Sequence, residues 1–86
     1  MDRAIVLRYL HECNEGASDF RFRDIRTERG RVRATVCRDG APYRRDYLDD
    51  DPAVRRLCKL VAEDLRDAAG HAVFFTLTRG ELCFAT

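Results

Sequence analysis

The sequence predicts one α+β domain over residues 1–86, an antiparallel sheet with helices packed on one face, in the order α-β-β-β-α-β-β. Three observations predict this class. Apolar residues recur at helical spacing in two segments, alternate with polar residues in the other segments, and are interrupted there by glycine-containing turn pairs. With 86 residues and 45% hydrophobic content, the chain can bury one core.

The first helix is predicted to run from Asp2, a suitable N-cap, to about Asn14. Its apolar face carries Val6, Tyr9, Leu10 and Cys13. The segment 4–7 alone would also suit a strand, but the helical period continues through Cys13 and favours the helix.

The segment from Phe20 changes to period two and predicts a strand. Phe20 and Phe22 share one parity and Ile25 and Thr27 the other, so a bulge is expected near Asp24.

The turn pair Arg29-Gly30 predicts a hairpin with the next strand. Its register sets residue 27 opposite 32 and residue 25 opposite 34, and directs Val32, Ala34 and Val36 into the core.

A third strand is predicted over 43–48, because Asp39-Gly40 favours a type I′ turn. The cross-strand pairs in this register are Val36–Tyr43, Ala34–Arg45, Val32–Tyr47 and, on the outer face, Arg33–Asp46. Pro42 indicates an edge position.

A strongly amphipathic helix is predicted over 51–70. Asp51 suits the N-cap, Pro52 the first helical position, and Gly70 the left-handed residue that ends the helix. The core face carries Val54, Leu57, Cys58, Val61, Leu65 and Ala68. Leu60 falls off this face, among charged residues.

The last two strands are predicted over 72–78 and 81–85, around the turn pair Arg79-Gly80. The pairs Phe75–Phe84 and Leu77–Leu82 then face the core, and Phe74, Thr76, Cys83 and Ala85 lie on the other face.

Charge is distributed unevenly, although the net charge is +1. Residues 19–45 hold nine arginines against four acidic residues, a net of +5, and residues 46–86 hold five basic against eight acidic residues, a net of −3. A charge dipole is therefore expected. The sequence shows no export signal and no apolar run of membrane-spanning length, so the cytoplasm is the expected compartment and no membrane partner is expected.

No catalytic, cofactor or metal site is predicted. The four cysteines have no paired spacing, and Ser18 has no nucleophile elbow. Cys58 and His71 could meet in space, but a core cysteine and a histidine beyond a helix end are the simpler explanation. The acidic run 49–51 could bind a divalent cation, but stabilisation of the helix N-terminus explains it more simply.

A nucleic-acid-binding regulator is the alternative function. The outer sheet face is predicted to carry Arg21, Arg23, Arg31, Arg33 and Arg44, and arginine binds phosphate well. The α-β-β-β-α order resembles double-stranded-RNA-binding domains. Those domains carry a basic cluster at the start of the second helix, where this chain has the acidic run 49–51.

A protein-binding module is the favoured function. Leu60 on the helix, and Phe74 with Cys83 on the outer face of the last hairpin, indicate apolar surface beside charges, which is typical of an interface. The acidic Asp49 and Asp50 belong to the same candidate surface. A homodimer or a different protein partner would cover it.

The β-β-α-β-β order over 32–37, 43–48, the helix, 73–77 and 82–85 resembles several anti-CRISPR proteins. The resemblance implies an inhibitor encoded by a phage or mobile element and acting in the host cytoplasm. Such an inhibitor would occupy a surface of a CRISPR effector nucleoprotein complex, with acids mimicking DNA phosphates or with a basic face against acidic protein. The resemblance assigns no functional residue.

Overall fold

The computed structural model describes residues 2–16, 20–38, 41–42 and 52–85. Their elements are α1 (Asp2–Cys13), β1 (Phe20–Glu28), β2 (Arg31–Arg38), β3 (Ala41–Pro42), α2 (Pro52–Ala69), β4 (Phe75–Thr78) and β5 (Glu81–Phe84). The predicted α+β class and element order are confirmed. No helix among the described residues is long and apolar enough to cross a membrane.

The sheet has the strand order β1-β2-β5-β4, with β3 beside the end of β2, and every pairing is antiparallel. One edge of β2 pairs with β1 along its whole length. Its other edge pairs with β5 at residues 32–35 and with β3 at residues 37–38. In the sheet formed by the described residues, β1 and β4 are therefore the terminal strands.

The first hairpin confirms the predicted turn and bulge. Arg29 and Gly30 form the turn with φ values of 53° and 76°, and Thr27 lies opposite Val32. The register shifts between residues 23 and 26, where Asp24 has a φ of 53°. Ile25 lies inside this bulge, so the ladder does not pair it with residue 34 as predicted.

The second predicted hairpin is only partly correct. Cys37 lies opposite Pro42, which is the predicted register. Farther along β2, Ala34 pairs with Leu82 and Val32 with Phe84, so β5 occupies the edge that was assigned to the third strand. The pairings of residues 32, 33 and 34 with 47, 46 and 45 are therefore wrong. The strand predicted over 43–48, the turn at 39–40 and the N-cap at residue 51 lie outside the described residues.

The core lies between one face of the sheet and both helices. The buried residues of this core are Val6, Leu10, Phe22, Val32, Ala34, Val36, Leu57, Val61, Leu65, Val73, Leu82 and Phe84. Two residues assigned to the core face of α2 lie at its margins, because Cys58 is half-buried and Ala68 is exposed. Ala53 is buried instead. The predicted end of α2 is confirmed by Gly70, which has a φ of 80° and donates its N–H to Arg66 O at 2.9 Å.

The last hairpin has the predicted turn and register. Phe75 lies opposite Phe84 and Leu77 opposite Leu82, and the rings of Phe75 and Phe84 are 5.4 Å apart. The strand begins at Phe75 and not at residue 72, so Phe74 belongs to the segment that joins α2 to β4.

Candidate functional site

The predicted site residues are not brought together on one surface. Arg44, Asp49 and Asp50 lie outside the described residues. The other five occupy four places: Arg33 and Cys83 on the outer sheet face, Arg21 at the start of β1, Leu60 on α2, and Phe74 before β4.

The outer sheet face carries a network of ion pairs around Glu81. Arg33 Nη1 donates to Glu81 Oε1 at 2.8 Å, and Arg26 Nη2 lies 3.2 Å from Glu81 Oε2. Arg26 also lies 3.1 Å from Asp24 Oδ2 and 3.3 Å from Glu28 Oε2. The hydrogen bond from Arg33 lowers the pKa of Glu81, partial burial opposes this change, and the bond from Arg26 adds to it. The network therefore joins β1, β2 and β5 and neutralises two of the sheet arginines.

Arg21 is engaged with the backbone. Its guanidinium donates to Phe20 O and to Gly16 O, both at 2.9 Å. The bond to Gly16 joins the start of β1 to the segment that follows α1. This arginine is thus a structural residue in the described part of the chain.

A polar depression of about 500 Å³ lies on the outer face beside Cys83. Its lining includes Thr76 and Thr78 of β4 and three arginines, Arg31, Arg33 and Arg79, against the single carboxylate of Glu81. The local net charge of these residues is therefore +2.

A second, apolar depression is a groove between α2 and β4. Two adjoining hollows of about 320 and 460 Å³ share Ala62 and Phe75 in their linings. The small side chains of Cys58 and Ala62 form the helix side, and Phe75 and Leu77 form the sheet side. Phe74 borders one end of this groove and is 75% exposed. An apolar hollow with an exposed aromatic ring at its border is the composition of a binding surface.

The rim of the groove is also positive. Arg55, Lys59 and Arg66 line it, with Glu63 as the acidic residue. Basic side chains therefore outnumber carboxylates among the described residues that line the two depressions.

Leu60 lies on a different flank of α2. It is 48% exposed, as predicted. Leu60 and Ala62 are two positions apart and thus about 200° apart around the helix, so Leu60 lies away from the groove. Phe74 lines the groove with α2, whereas Cys83 lines the outer-face depression, so the predicted Phe74–Cys83 patch is two separate surfaces.

The two terminal strands differ in the hydrogen-bond partners of the backbone groups at their outer edges. On β1, the Asn14 side chain accepts the Phe22 N–H at 2.7 Å and donates to Phe22 O at 2.8 Å. This amide therefore pairs with the outer edge of β1 as a neighbouring strand would.

On β4, Ala85 N donates to Phe74 O at 2.9 Å, which fixes which residue pairs of the β4–β5 hairpin are hydrogen-bonded to each other. Because bonded and non-bonded pairs alternate, the N–H and C=O groups of Phe75 and Leu77 point away from β5, towards the edge that no described strand covers, called the open edge below.

Cys58, Cys13 and His71 have surroundings that do not activate a thiol as a nucleophile. Burial raises the pKa of Cys58, which disfavours the thiolate, and it does the same for Cys13. Each ring nitrogen of His71 lies 3.0 Å from an oxygen, Ala72 O and Asp2 Oδ1, so no Cys58–His71 dyad is formed. No group of three His, Cys, Asp or Glu side chains suited to a metal ion occurs within this part of the chain.

Tyr9 ties the two helices together. Its hydroxyl donates to Asp64 Oδ2 at 3.0 Å. Burial raises the pKa of Tyr9, with smaller contributions from Cys13 and Asp64, so the phenol stays protonated and remains a donor.

Comparison of the chain with protein-family models, with curated proteins and with solved structures found no match.

Sequence reasoning missed the α2–β4 groove, Asn14 and Glu81. The groove depends on which strand is terminal, and that order is not encoded in local patterns. Only the helix side of the groove has a signal in the sequence, and this signal is weak. Cys58 and Ala62 are four residues apart, so these two small side chains are neighbours on α2, beside the core face. The parity of Glu81 with Cys83 places its carboxylate on the arginine face, but its neighbour Arg33 is forty-eight residues away.

Proposed function

We propose that this protein is a non-catalytic protein-binding module that acts by stoichiometric contact with a protein partner. One observation carries the proposal: the apolar groove between α2 and β4, bordered by Phe74 at 75% exposure. Large aromatic side chains in that position commonly anchor protein interfaces. The charged rim supports the same interpretation, since interfaces combine an apolar centre with a polar margin.

The decisive variants are Phe74→Asp and Leu60→Asp. Both place a carboxylate at an exposed apolar position, but only Phe74 borders the groove. We expect affinity capture from native lysate to recover a protein in fixed stoichiometry with the wild type and with Leu60→Asp, and to lose it with Phe74→Asp. Circular dichroism of each variant checks that the fold is retained. Equal capture by the wild type and Phe74→Asp would refute this surface.

A narrower form of the proposal is that the partner is a CRISPR effector complex. It is supported by the resemblance of the predicted β-β-α-β-β order to anti-CRISPR proteins. The experiment adds the purified protein to an effector–guide RNA complex and measures DNA cleavage. Inhibition that saturates near equimolar protein is expected. Undiminished cleavage at large excess would refute this form and leave the general proposal standing.

The alternative, a nucleic-acid-binding regulator, is supported by the arginines of the outer face. It is weakened by their engagement, because Arg26 and Arg33 are paired with Glu81 and Arg21 is bonded to carbonyl groups. A phosphate would have to compete with these bonds. Duplex and single-strand binding at two salt concentrations separates the functions: steeply salt-dependent binding that Arg31→Ala and Arg79→Ala weaken would favour the alternative.

A further inference from the structure

We propose that the open edge of β4 binds an extended, acidic segment of a partner protein, which adds to the sheet as a further strand. The inference rests on the proposed function, because it names the class of partner for the same surface. It follows from the backbone of β4, from the shape of the groove and from the charge of the outer face beside β4.

The backbone of β4 presents two donor–acceptor positions. Phe75 and Leu77 direct their N–H and C=O groups to the open edge, as the hydrogen-bonding phase of the hairpin requires. An added strand would pair with both residues. Such pairing supplies affinity through main-chain hydrogen bonds, whatever the side chains of the ligand.

The side chains of β4 set the pattern of the ligand. Because alternate residues of a strand face opposite sides, one set of ligand side chains would lie in the groove beside Phe75, Leu77 and Ala62. The small side chain of Ala62 leaves room there for apolar groups. The other set would lie on the outer face beside Thr76 and Thr78. The ligand is thus expected to alternate apolar and polar residues.

Charge selects acidic residues for the polar positions. The outer-face depression beside the two threonines carries three arginines against one carboxylate, and one of these arginines, Arg79, directly follows β4. Acidic side chains at the outer-face positions of the ligand would complement this charge. A second copy of this chain would instead bring like charges together, so a different protein is favoured over a homodimer at this edge.

The opposite edge of the sheet, on β1, is protected against the addition of a strand. On β1, Asn14 occupies the backbone groups of Phe22, and a bulge at Asp24 distorts the strand. Both features are devices that block strand addition. The described residues place no comparable device on β4, so the sheet is protected on one side and open on the other.

The experiment uses the full chain and two labelled synthetic peptides of seven residues, one alternating Asp and Val and the other alternating Lys and Val. Fluorescence anisotropy measures affinity, and amide chemical shifts locate binding. The matched variants are Arg79→Glu and Arg29→Glu. Both arginines are exposed first residues of an Arg-Gly turn, with φ values of 51° and 53°, but only Arg79 lines the depression beside β4.

We expect the acidic peptide to bind, to shift the amides of Phe75 and Leu77 but not Phe22, and to bind about tenfold more weakly to Arg79→Glu than to Arg29→Glu. The basic peptide should not bind. Equal weakening by both variants, shifts at Phe22, or no binding of the acidic peptide would overturn the inference. Sedimentation without peptide that shows a dimer dissociated by Arg79→Glu would also overturn it, in favour of a second copy. If the peptide fails while Phe74→Asp still abolishes partner capture, the proposed function survives and only the acidic strand is refuted.

Discussion

Replacing Leu65 by alanine tests the core face of α2, on which the position of the groove depends. Leu65 is fully buried in the core cluster, with 0% exposure. Complete burial of a leucine side chain contributes about 1.5–3 kcal/mol, and the cavity left by truncation raises the cost to about 2–5 kcal/mol. We take about 3 kcal/mol as the expected loss in the free energy of unfolding, within that range.

The matched control is Leu60→Ala on the same helix. The chemical change and the difference in helix propensity are the same, but Leu60 is 48% exposed. Its loss should be below about 1 kcal/mol, because the truncated atoms are already partly in water. The difference between the two variants therefore measures burial alone.

The assay is thermal and urea unfolding followed by circular dichroism. For a domain of this size about 1 kcal/mol shifts Tm by roughly 4–8 °C, so Leu65→Ala should lower Tm by roughly 12–24 °C. Equal losses for the two variants would refute the assigned face of α2. A loss below about 1 kcal/mol for Leu65→Ala would do the same.

Three further predictions concern stability. Asn14→Ala should cost about 1–3 kcal/mol in denaturant unfolding, because it leaves both backbone groups of Phe22 without their partner, and Asn14→Asp, which keeps the acceptor, should cost less. Gly70→Ala should cost about 1 kcal/mol in the free energy of unfolding, because alanine disfavours the left-handed φ of 80°. An added Cβ meets no atom within 4 Å, so a steric clash adds nothing, and an unchanged stability would contradict this helix end. The folded-state pKa of Glu81 is depressed, so its contribution is present above the unfolded pKa and is lost as pH falls through the folded value. Glu81→Gln should therefore be less stable than wild type near neutral pH, with the gap closing in acid unfolding profiles; a constant gap would refute the ion pair.

Local patterns were sufficient to predict both helices, the four strands β1, β2, β4 and β5, and three of the turns or breaks. Arg29-Gly30, Arg79-Gly80 and the parity change at Asp24 are signals within a few residues, and the structure has a turn or a bulge at each. The period of 3.6 likewise separates the exposed Leu60 from the buried Leu65 without knowledge of the sheet.

Strand neighbours could not be predicted in the same way. Asp39-Gly40 correctly indicates the register of residues 37 and 42, but it cannot show how far the pairing extends. β5 competes for the same edge of β2 and takes residues 32–35, since its apolar Leu82 and Phe84 bury fully against the core. The candidate site depends on this competition, because it is what leaves β4 at the end of the sheet.

The pairing of β2 with β5 also has a kinetic consequence. The β1–β2 and β4–β5 hairpins close through two-residue turns, but Val32 and Phe84 are fifty-two positions apart, with α2 between them. Closing a long loop costs entropy before any contact repays it, and such contacts slow folding. The hairpins should therefore form early, and the association of β2 with β5 should limit the folding rate. Truncation of Leu82 at this seam would then slow refolding, whereas substitutions at the outer edge of β4 would mainly accelerate unfolding.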